Sequence, residues 1–225
     1  MNIELSRMHM IEQQIRPWNV SDPQILETFS VVKREDFVPP AYRSIAFADL
    51  RIPLLGTLEE ALQSGHCMLE PKVEARMLQD LALQTSDTVL EVGAGSGYMA
   101  ALMARKARRV VSLEIVPELA SMARNNIRRA GIDNVEIRQA DGASSIAAED
   151  RFDAIVLSGS VAEVPDNLLT LLKPDGRLVA IVGQEPMMRA TCVTRIQTDR
   201  FRVSQGWDTV APRLQNFPEP SRFQF

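Results

Sequence analysis

The stretch VLEVGAGSGYMA, residues 89–100, decides the fold, because an apolar strand pattern runs directly into three glycines and then into a helical pattern. Gly93, Gly95 and Gly97 allow positive φ angles and let a ligand approach the backbone closely. A strand, a glycine turn and a helix in this order form a nucleotide-binding shelf at the carboxyl end of a parallel strand. The stretch therefore predicts an α/β fold with a nucleotide site at this turn.

The sequence around this turn alternates short β-branched runs with helical patterns, which is typical of parallel strands joined by crossover helices. Strands are predicted at residues 88–92, 109–114, 134–139, 152–158 and 177–183. Beyond residue 190, the stretches TCVTRIQ and FRVSQGWDTV alternate in polarity and predict an antiparallel pair. The predicted fold class is α/β, a doubly wound Rossmann-like and mostly parallel sheet with an antiparallel C-terminal pair.

The first 85 residues differ, since they are mostly helical and punctuated by prolines. They predict a helical, loop-rich N-terminal extension (residues 1–85) that covers the site of a core formed by residues 86–225. Within MHMIEQQI, Met8, Ile11 and Ile15 are predicted to share one helix face. SDPQILETFSVV predicts a second helix with a Ser or Asp cap, and residues 38–65 predict a long loop of functional importance.

Composition limits the classes of function. A net charge of −4 provides no overall positive field for nucleic acid or an anionic membrane, so neither is an expected partner. Two cysteines and two histidines are too few for a disulfide framework or a four-ligand metal site. The charged amino end lacks the apolar stretch of a signal peptide, and no apolar run is long enough to span a membrane. We therefore expect a cytoplasmic protein with reduced thiols and no metal.

The spacing of the turn departs from that of a dinucleotide-binding fingerprint. A dinucleotide fingerprint is G-x-G-x-x-G, and Tyr98 occupies the place of its third glycine. Residues 88–104 contain no Lys or Arg to meet a pyrophosphate, whereas Glu91 suits a cationic sulfonium. Glu114 ends the next strand about twenty residues on, where an acid accepts hydrogen bonds from ribose hydroxyls.

The glycine turn resembles the first motif of the S-adenosylmethionine-dependent methyltransferases. In such enzymes an acid after the third strand contacts the adenine amino group, and Asp141 resembles that residue, with a turn or helix cap as the alternative. The predicted cofactor-binding residues are Glu91, Gly93, Ala94, Gly95, Gly97, Glu114, Ile115, Asp141 and Gly142.

Several separate stretches resemble the protein-L-isoaspartate O-methyltransferase family, over nearly the whole chain. They include VKREDFVPPAYRSIAFADLRIP, EPKVEARML, NVEIRQADG, FDAIVLSGSVAEVP and LKPDGRLVAIVGQE. The resemblance implies methyl transfer from S-adenosylmethionine to the free carboxylate of isoaspartyl residues in damaged proteins. That carboxylate is already ionised at neutral pH, so the enzyme mainly aligns it with the methyl group and excludes water.

The predicted acceptor loop departs from the family pattern. In the family a run like G-Q-T-x-S-Q-P carries a threonine and a serine that touch the acceptor carboxylate, and here the run reads GHCMLEP, residues 65–71. Cys67 and Leu69 therefore stand at the hydroxyl positions. Loss of one preorganised donor costs about a hundredfold to a thousandfold in rate, and an ionised Glu70 would repel a carboxylate.

His66, Cys67 and Leu69 are the candidate acceptor-loop residues. His66 is a candidate general base for another acceptor such as a hydroxyl, with a surface or packing role as the alternative. Cys67 has no visible partner that would lower its pKa and make it a nucleophile.

Several alternatives stay open at the level of sequence. The acceptor is a protein or peptide carboxylate or a small molecule, and the oligomeric state is unassigned. A non-catalytic S-adenosylmethionine-binding protein and a dinucleotide-dependent oxidoreductase are the other classes. The tail NFPEPSRFQF, with Phe217, Phe223 and Phe225, is interpreted as a strap across the domain, with a lid or a dimer contact as the alternative.

Overall fold

A seven-stranded sheet forms the centre of the computed structural model, which describes residues 2–144, 146 and 151–219. Its strands are β3 Thr88–Val92, β4 Arg109–Glu114, β5 Val135–Gln139, β6 Phe152–Val161, β7 Leu172–Gln184, β8 Met187–Gln197 and β9 Arg200–Thr209. A separate small sheet pairs β1 Ile52–Pro53 with β2 Cys67–Met68. The α-helices are α1 Ile3–Met10, α2 Pro23–Val31, α3 Leu58–Ser64, α4 Pro71–Leu81, α5 Tyr98–Ala104, α6 Pro117–Arg129 and α7 Asp166–Leu169.

The strand order is β5-β4-β3-β6-β7-β8-β9, in which β3 to β7 run parallel and β8 and β9 are antiparallel. The chain moves outward from β3 to β5 and then crosses back to β6 on the other side of β3. Ligands of open α/β sheets bind at the carboxyl ends of the strands where the order reverses. The topology confirms the predicted fold class and places this crevice at the ends of β3 and β6.

All five predicted parallel strands are present, but β6 and β7 are longer than predicted. Phe152 pairs with Leu172 first, and after a register shift Ala154 pairs with Arg177. KPDG, residues 173–176, forms the irregularity between these two pairs, and its turn residues gave no strand pattern from which the start of β7 could be predicted.

The N-terminal helix buries two of the three residues predicted to share one face. It runs as α1 and continues as a π-helix over Ile11–Ile15, where both named isoleucines are buried. Met8 is 50% exposed, so it does not share the buried face of the two isoleucines. Arg7 takes the inward position instead, because its guanidinium pairs with Glu35.

The predicted long loop at residues 38–65 contains regular structure. A 3₁₀-helix covers Pro40–Ile45, and α3 begins with a capping box in which Thr57 and Glu60 bond reciprocally. The prediction of a loop over α3 is therefore wrong, and the Thr-x-x-Glu pattern was the signal that marked this helix. The helix predicted in SDPQILETFSVV is confirmed as α2, capped by Asp22 with Pro23 in its first turn.

Two hydrophobic clusters contain the core. One joins N-terminal residues such as Ile15 and Phe29 to sheet residues such as Val89, and the other includes Leu90 and Phe217. The division into an extension (1–85) and a core (86–225) stays a prediction. Among the helices of the described residues, none combines the length and the apolar character needed to cross a bilayer.

Candidate functional site

The glycine turn follows β3 directly and closes with positive φ angles at Gly93 (+92°), Gly95 (+52°) and Gly97 (+82°). The N–H groups of Gly93 and Ala94 both donate to the carbonyl of Leu113 at 2.9 and 3.0 Å, which ties the turn to the neighbouring strand. A Cβ at Gly93 would lie 2.9 Å from Leu214. The backbone angle favours glycine there, and a larger residue would also displace the Leu214 side chain of the C-terminal segment.

Glu114 holds the turn from the end of β4. Its carboxylate accepts from the N–H of Gly95 at 2.8 Å and from the N–H of Val116 at 3.0 Å, and the residue is 5% exposed. An ionised carboxylate has about four lone-pair sites, so Glu114 retains capacity to accept from a ligand hydroxyl. Its position beside the turn fits the predicted contact with a ribose.

Asp141 makes the contacts of a turn cap. One carboxylate oxygen accepts from the N–H of Ala143 at 2.9 Å, and the other accepts from the side-chain amide of Asn216 at 2.9 Å. The cap interpretation therefore describes its contacts within the chain. Asp141 and Gly142 also line the main cleft, where the predicted adenine contact would lie.

Glu91 is fully buried beneath the turn. Its two carboxylate oxygens accept from the hydroxyls of Ser112 (2.6 Å) and Ser158 (2.7 Å). Burial raises the pKa of the Glu91 carboxyl to about 7 against the effect of these hydroxyls, and the nearby Glu74 and Glu114 carboxylates add to the increase. A group with this pKa changes charge readily when a cation binds beside it.

Two adjoining clefts meet above the turn. The main cleft has an empty volume of about 620 Å³, and the smaller one, of about 370 Å³, lies over Glu91. Of the predicted cofactor residues, Gly93, Gly95, Glu114, Ile115, Asp141 and Gly142 line the main cleft, and Glu91 and Ala94 line the smaller one. Gly97 lines neither cleft and begins α5. Cys67 lines both, so it lies at their junction.

The acceptor loop, residues 65–71, is held by pairing of β2 with β1. The N–H of Leu54 also donates to the carbonyl of His66 at 2.9 Å. Burial raises the pKa of the Cys67 thiol to about 11, although Arg51 opposes the change. Cys67 therefore stays protonated at neutral pH, which argues against a nucleophilic role.

The other two loop candidates have different environments. Leu69 is 5% exposed and packs in the hydrophobic core while it lines the smaller cleft. His66 lies 3.4 Å from the side-chain amide of Gln215, and none of the described carboxylates forms an ion pair with it. The structure thus brings all three candidates to one wall of the clefts, and within the described part of the chain it gives His66 no acid partner.

Arg34 anchors this loop, and sequence reasoning missed it. Its side chain is completely buried and donates to the carbonyl of Ala46 at 3.0 Å, to the carbonyl of Leu69 at 2.6 Å and to the carboxylate of Glu74. The guanidinium also lies 5.1 Å from the ring centroid of Tyr98. No local pattern distinguishes Arg34 from a surface arginine, because its partners come from distant parts of the chain.

The C-terminal segment, residues 210–217, closes the cleft as a strap. Ser160 fixes it by donating its N–H to Pro212 at 2.7 Å and accepting from the N–H of Leu214 at 2.9 Å. Phe217 is 7% exposed and packs in a core cluster, which supports the strap interpretation for this residue. Phe223 and Phe225 lie outside the described residues. Arg213, a second residue that sequence reasoning missed, lines the main cleft from this strap.

Comparison with known proteins decides the family. A family model described as protein-L-isoaspartate(D-aspartate) O-methyltransferase matches residues 5–210. The chain belongs to this family. A protein-L-isoaspartate O-methyltransferase of Methanoculleus marisnigri is 37% identical over 177 residues, which cover 79% of this chain and 77% of the relative. One from Myxococcus xanthus is 40% identical over 164 residues, covering 73% and 74%.

Solved structures of the protein-L-isoaspartate O-methyltransferase family have the same fold. A Plasmodium falciparum chain ascribed to this family, in complex with S-adenosyl-L-homocysteine, superposes with a TM-score of 0.75 at 20% identity over 96% of this chain and 99% of its own. A second protein-L-isoaspartate O-methyltransferase gives 0.77 at 26% identity over 92% of this chain and 65% of its own.

These comparisons confirm four predictions made from the sequence: the family, the fold class, the methyltransferase activity class and S-adenosylmethionine as methyl donor. The alternative of a dinucleotide-dependent oxidoreductase is thereby set aside. The individual cofactor-binding and acceptor-loop residues of this family member stay predictions, supported by their positions around the two clefts.

Proposed function

We propose that this chain methylates the free carboxylate of isoaspartyl residues in proteins or peptides, with S-adenosylmethionine as the donor. The observation that carries the proposal is one continuous cleft. It runs from Asp141 past Glu114 and the glycine turn to Cys67 in the acceptor loop. Donor and acceptor ends of a transfer reaction are thus joined along a single path.

The lining of the clefts fits an adenosine-bearing sulfonium. Asp141 and Gly142 would face the adenine, and Glu114 would face the ribose hydroxyls. Gly93 and Gly95 would face the part of the donor that is attached to the ribose. Glu91, in the smaller cleft, would face the cationic end of the donor and ionise more easily when that charge is near. We infer the same cofactor residues that the sequence predicts.

The chemistry asked of the protein is mainly alignment. When bound, the donor supplies a methyl group that passes from sulfur to a carboxylate oxygen, with the electron pair of the broken bond staying on sulfur and no proton moving. A carboxylate is ionised at neutral pH and needs no base. The acceptor loop and the strap therefore hold the acceptor in line and exclude water.

The altered loop retains part of the family's contacts. Protonated Cys67 at the threonine position offers a weak S–H donor at the junction of the clefts. Glu70 lies 3.4 Å from Arg51, so its repulsion of a carboxylate is partly neutralised. Leu69 offers no donor, and a changed acceptor is the second proposal that this substitution supports.

The remaining features of the proposal concern partners and location. We infer a cytoplasmic location, which the two free cysteines, Cys67 and Cys192, support. The absence of a nucleic-acid partner stays a prediction from the net charge of −4.

A paired-peptide assay tests the function. The protein is incubated with methyl-labelled S-adenosylmethionine and a peptide that contains either isoaspartate or normal aspartate at one position. We expect labelled methyl ester on the isoaspartyl peptide only. S-adenosylmethionine binding by calorimetry with no label on the isoaspartyl peptide would reject this acceptor, and label on a metabolite pool would support the changed acceptor.

A further inference from the structure

The guanidinium of Arg213 has one buried nitrogen without a partner. Its Nε lies 2.8 Å from the Glu219 carboxylate, and its Nη2 donates to the carbonyl of Gly183 at 2.9 Å. Nη1 is buried and has no hydrogen-bond partner among the described residues. A buried donor on a charged group is unfavourable when it has no partner, so a polar ligand is the natural partner for Nη1.

The course of the strap places Arg213 at the acceptor end of the main cleft. The carbonyl of Val210 accepts from Arg51, and Pro212 packs on Gly65, where a Cβ would lie 3.1 Å from the proline ring. At the other end of the strap, Asn216 bonds to Asp141, beside the predicted adenine site. Arg213 directly follows Pro212 and lines the cleft, so it is near the acceptor loop.

The arginine is also fixed in position before any ligand binds. Its backbone pairs with Ser160 of β6, and its side chain is held by Gly183 at the end of β7. Glu219 compensates part of the positive charge, so the free Nη1 provides a directed hydrogen bond rather than a diffuse field. A planar guanidinium edge matches a carboxylate better than an ammonium would.

We propose that Arg213 binds the carboxylate of the methyl acceptor through Nη1 and so determines specificity in place of the missing loop hydroxyls. This inference rests on the proposed function. Nη1 engages one carboxylate oxygen, and the other oxygen is left to receive the methyl group. The competing occupant of Nη1 is the carboxylate of the donor's own methionine end, and the experiment separates the two.

The test compares Arg213→Gln and Arg213→Lys with the wild type. Arg189→Gln is the matched control, since Arg189 is exposed on β8 and its one ion pair among the described residues is with the exposed Asp208. Calorimetry gives the affinity for S-adenosylmethionine and confirms that each variant is folded. Initial rates give KM and kcat for an isoaspartyl peptide, and calorimetry on the S-adenosylhomocysteine complex gives peptide affinity independently of turnover.

We expect Arg213→Gln to raise the KM and the Kd of the isoaspartyl peptide by about 10- to 100-fold, the loss expected for a hydrogen bond to a charged group. Arg213→Lys should be intermediate, the control should match the wild type, and donor affinity should change less than about twofold. The wild type should bind the isoaspartyl peptide more tightly than the same peptide with an amide in place of the isoaspartyl carboxylate, and Arg213→Gln should lose this preference.

Two results would overturn the inference. Donor affinity that falls with unchanged peptide affinity would assign Nη1 to the donor, and unchanged values for both would make Arg213 a structural residue of the strap. The proposed function fails separately: a wild-type protein that binds the isoaspartyl peptide through Arg213 but never methylates it would keep this inference and reject the activity.

Discussion

The donor and acceptor halves of the site differ in how completely their polar groups are satisfied. In the donor half, Glu91, Glu114 and Asp141 each have both carboxylate oxygens in hydrogen bonds within the chain. In the acceptor half, Arg51 Nε, Glu70 Oε2 and Arg213 Nη1 are buried without hydrogen-bond partners among the described residues. The donor half is thus preorganised, and the acceptor half keeps polar capacity for a second substrate.

The largest expected effect concerns the anchor beneath the acceptor half. Arg34→Met should destabilise the protein by about 3–5 kcal/mol, because it leaves the carboxylate of Glu74 buried without its partner. Urea unfolding measures the change. The double variant Arg34→Met with Glu74→Leu removes both charges and should recover much of the loss. A double variant no more stable than the single one would show that the pair is not the cause.

A second test concerns the buried acid of the donor half. Because burial raises the pKa of Glu91 to about 7, the folded protein retains a proton that the unfolded chain releases near 4.5. The free energy of unfolding should therefore fall between pH 4.5 and 7, by up to about 3 kcal/mol, and level off above pH 7. Denaturant unfolding at several pH values should show that the free energy of unfolding falls less over this range in Glu91→Gln than in the wild type.

Glu136→Gln is the control for this pH dependence. Hydrogen bonds from Arg138 and Arg109 lower the pKa of Glu136, so its contribution is lost only below pH 4.5. Its replacement should leave the slope between pH 4.5 and 7 unchanged. Burial also raises the pKa of Glu74, which therefore contributes in the same direction as Glu91. Some pH dependence of the unfolding free energy should thus persist in Glu91→Gln.

Glu114→Ala tests whether the donor half depends on its preorganised turn. The variant removes the acceptor for the N–H groups of Gly95 and Val116 as well as the predicted ribose contact. We expect the Kd for S-adenosylmethionine to rise about 10- to 100-fold, as for the loss of one or two strong hydrogen bonds. In the control Glu118→Ala, at an exposed neighbouring position, calorimetry should show a change of less than twofold in this Kd. An equal loss of affinity in both variants would refute the assignment of Glu114 to the donor site.

Cys67→Thr tests whether the acceptor half lacks a hydroxyl. A hydroxyl at the junction of the clefts should raise kcat/KM for an isoaspartyl peptide by about tenfold. This is less than the full effect of one preorganised hydrogen-bond donor. Cys192→Thr, the same change at the other half-buried free cysteine, should have no effect. Leu69→Ser is the poorer test because Leu69 is 5% exposed and its loss damages packing. An unchanged rate in Cys67→Thr would contradict the account.

The smallest effect is expected at His66. If the acceptor is a carboxylate, His66→Gln should retain kcat within about threefold and keep the same pH–rate profile, since no proton is removed. A loss of kcat of more than about a hundredfold, together with a changed pH–rate profile, would identify a general base and a hydroxyl-type acceptor instead.

Short-range patterns predicted the donor half because each of its residues lies in, or just after, a strand that a local pattern marks. Consecutive apolar residues mark β3 and β4, and the glycines between β3 and α5 mark the turn. Similarly, Pro117 and Gly131 bracket α6 closely. The error over α3 has a local signal, the capping box of Thr57 and Glu60. The exposure of Met8 has a long-range cause, because Arg7 is buried by its pairing with Glu35, 28 residues away.

The sequence by itself determined the parallel sheet, the glycine turn with its acid at the next strand end, and the family. Only the tertiary structure decided which charged groups are buried and which of them lack partners. Arg34 is 40 residues from Glu74, and Arg213 is 30 residues from Gly183. Strand and turn patterns follow from backbone geometry over a few residues. Burial and pairing of a charge depend instead on partners that folding brings from distant parts of the chain.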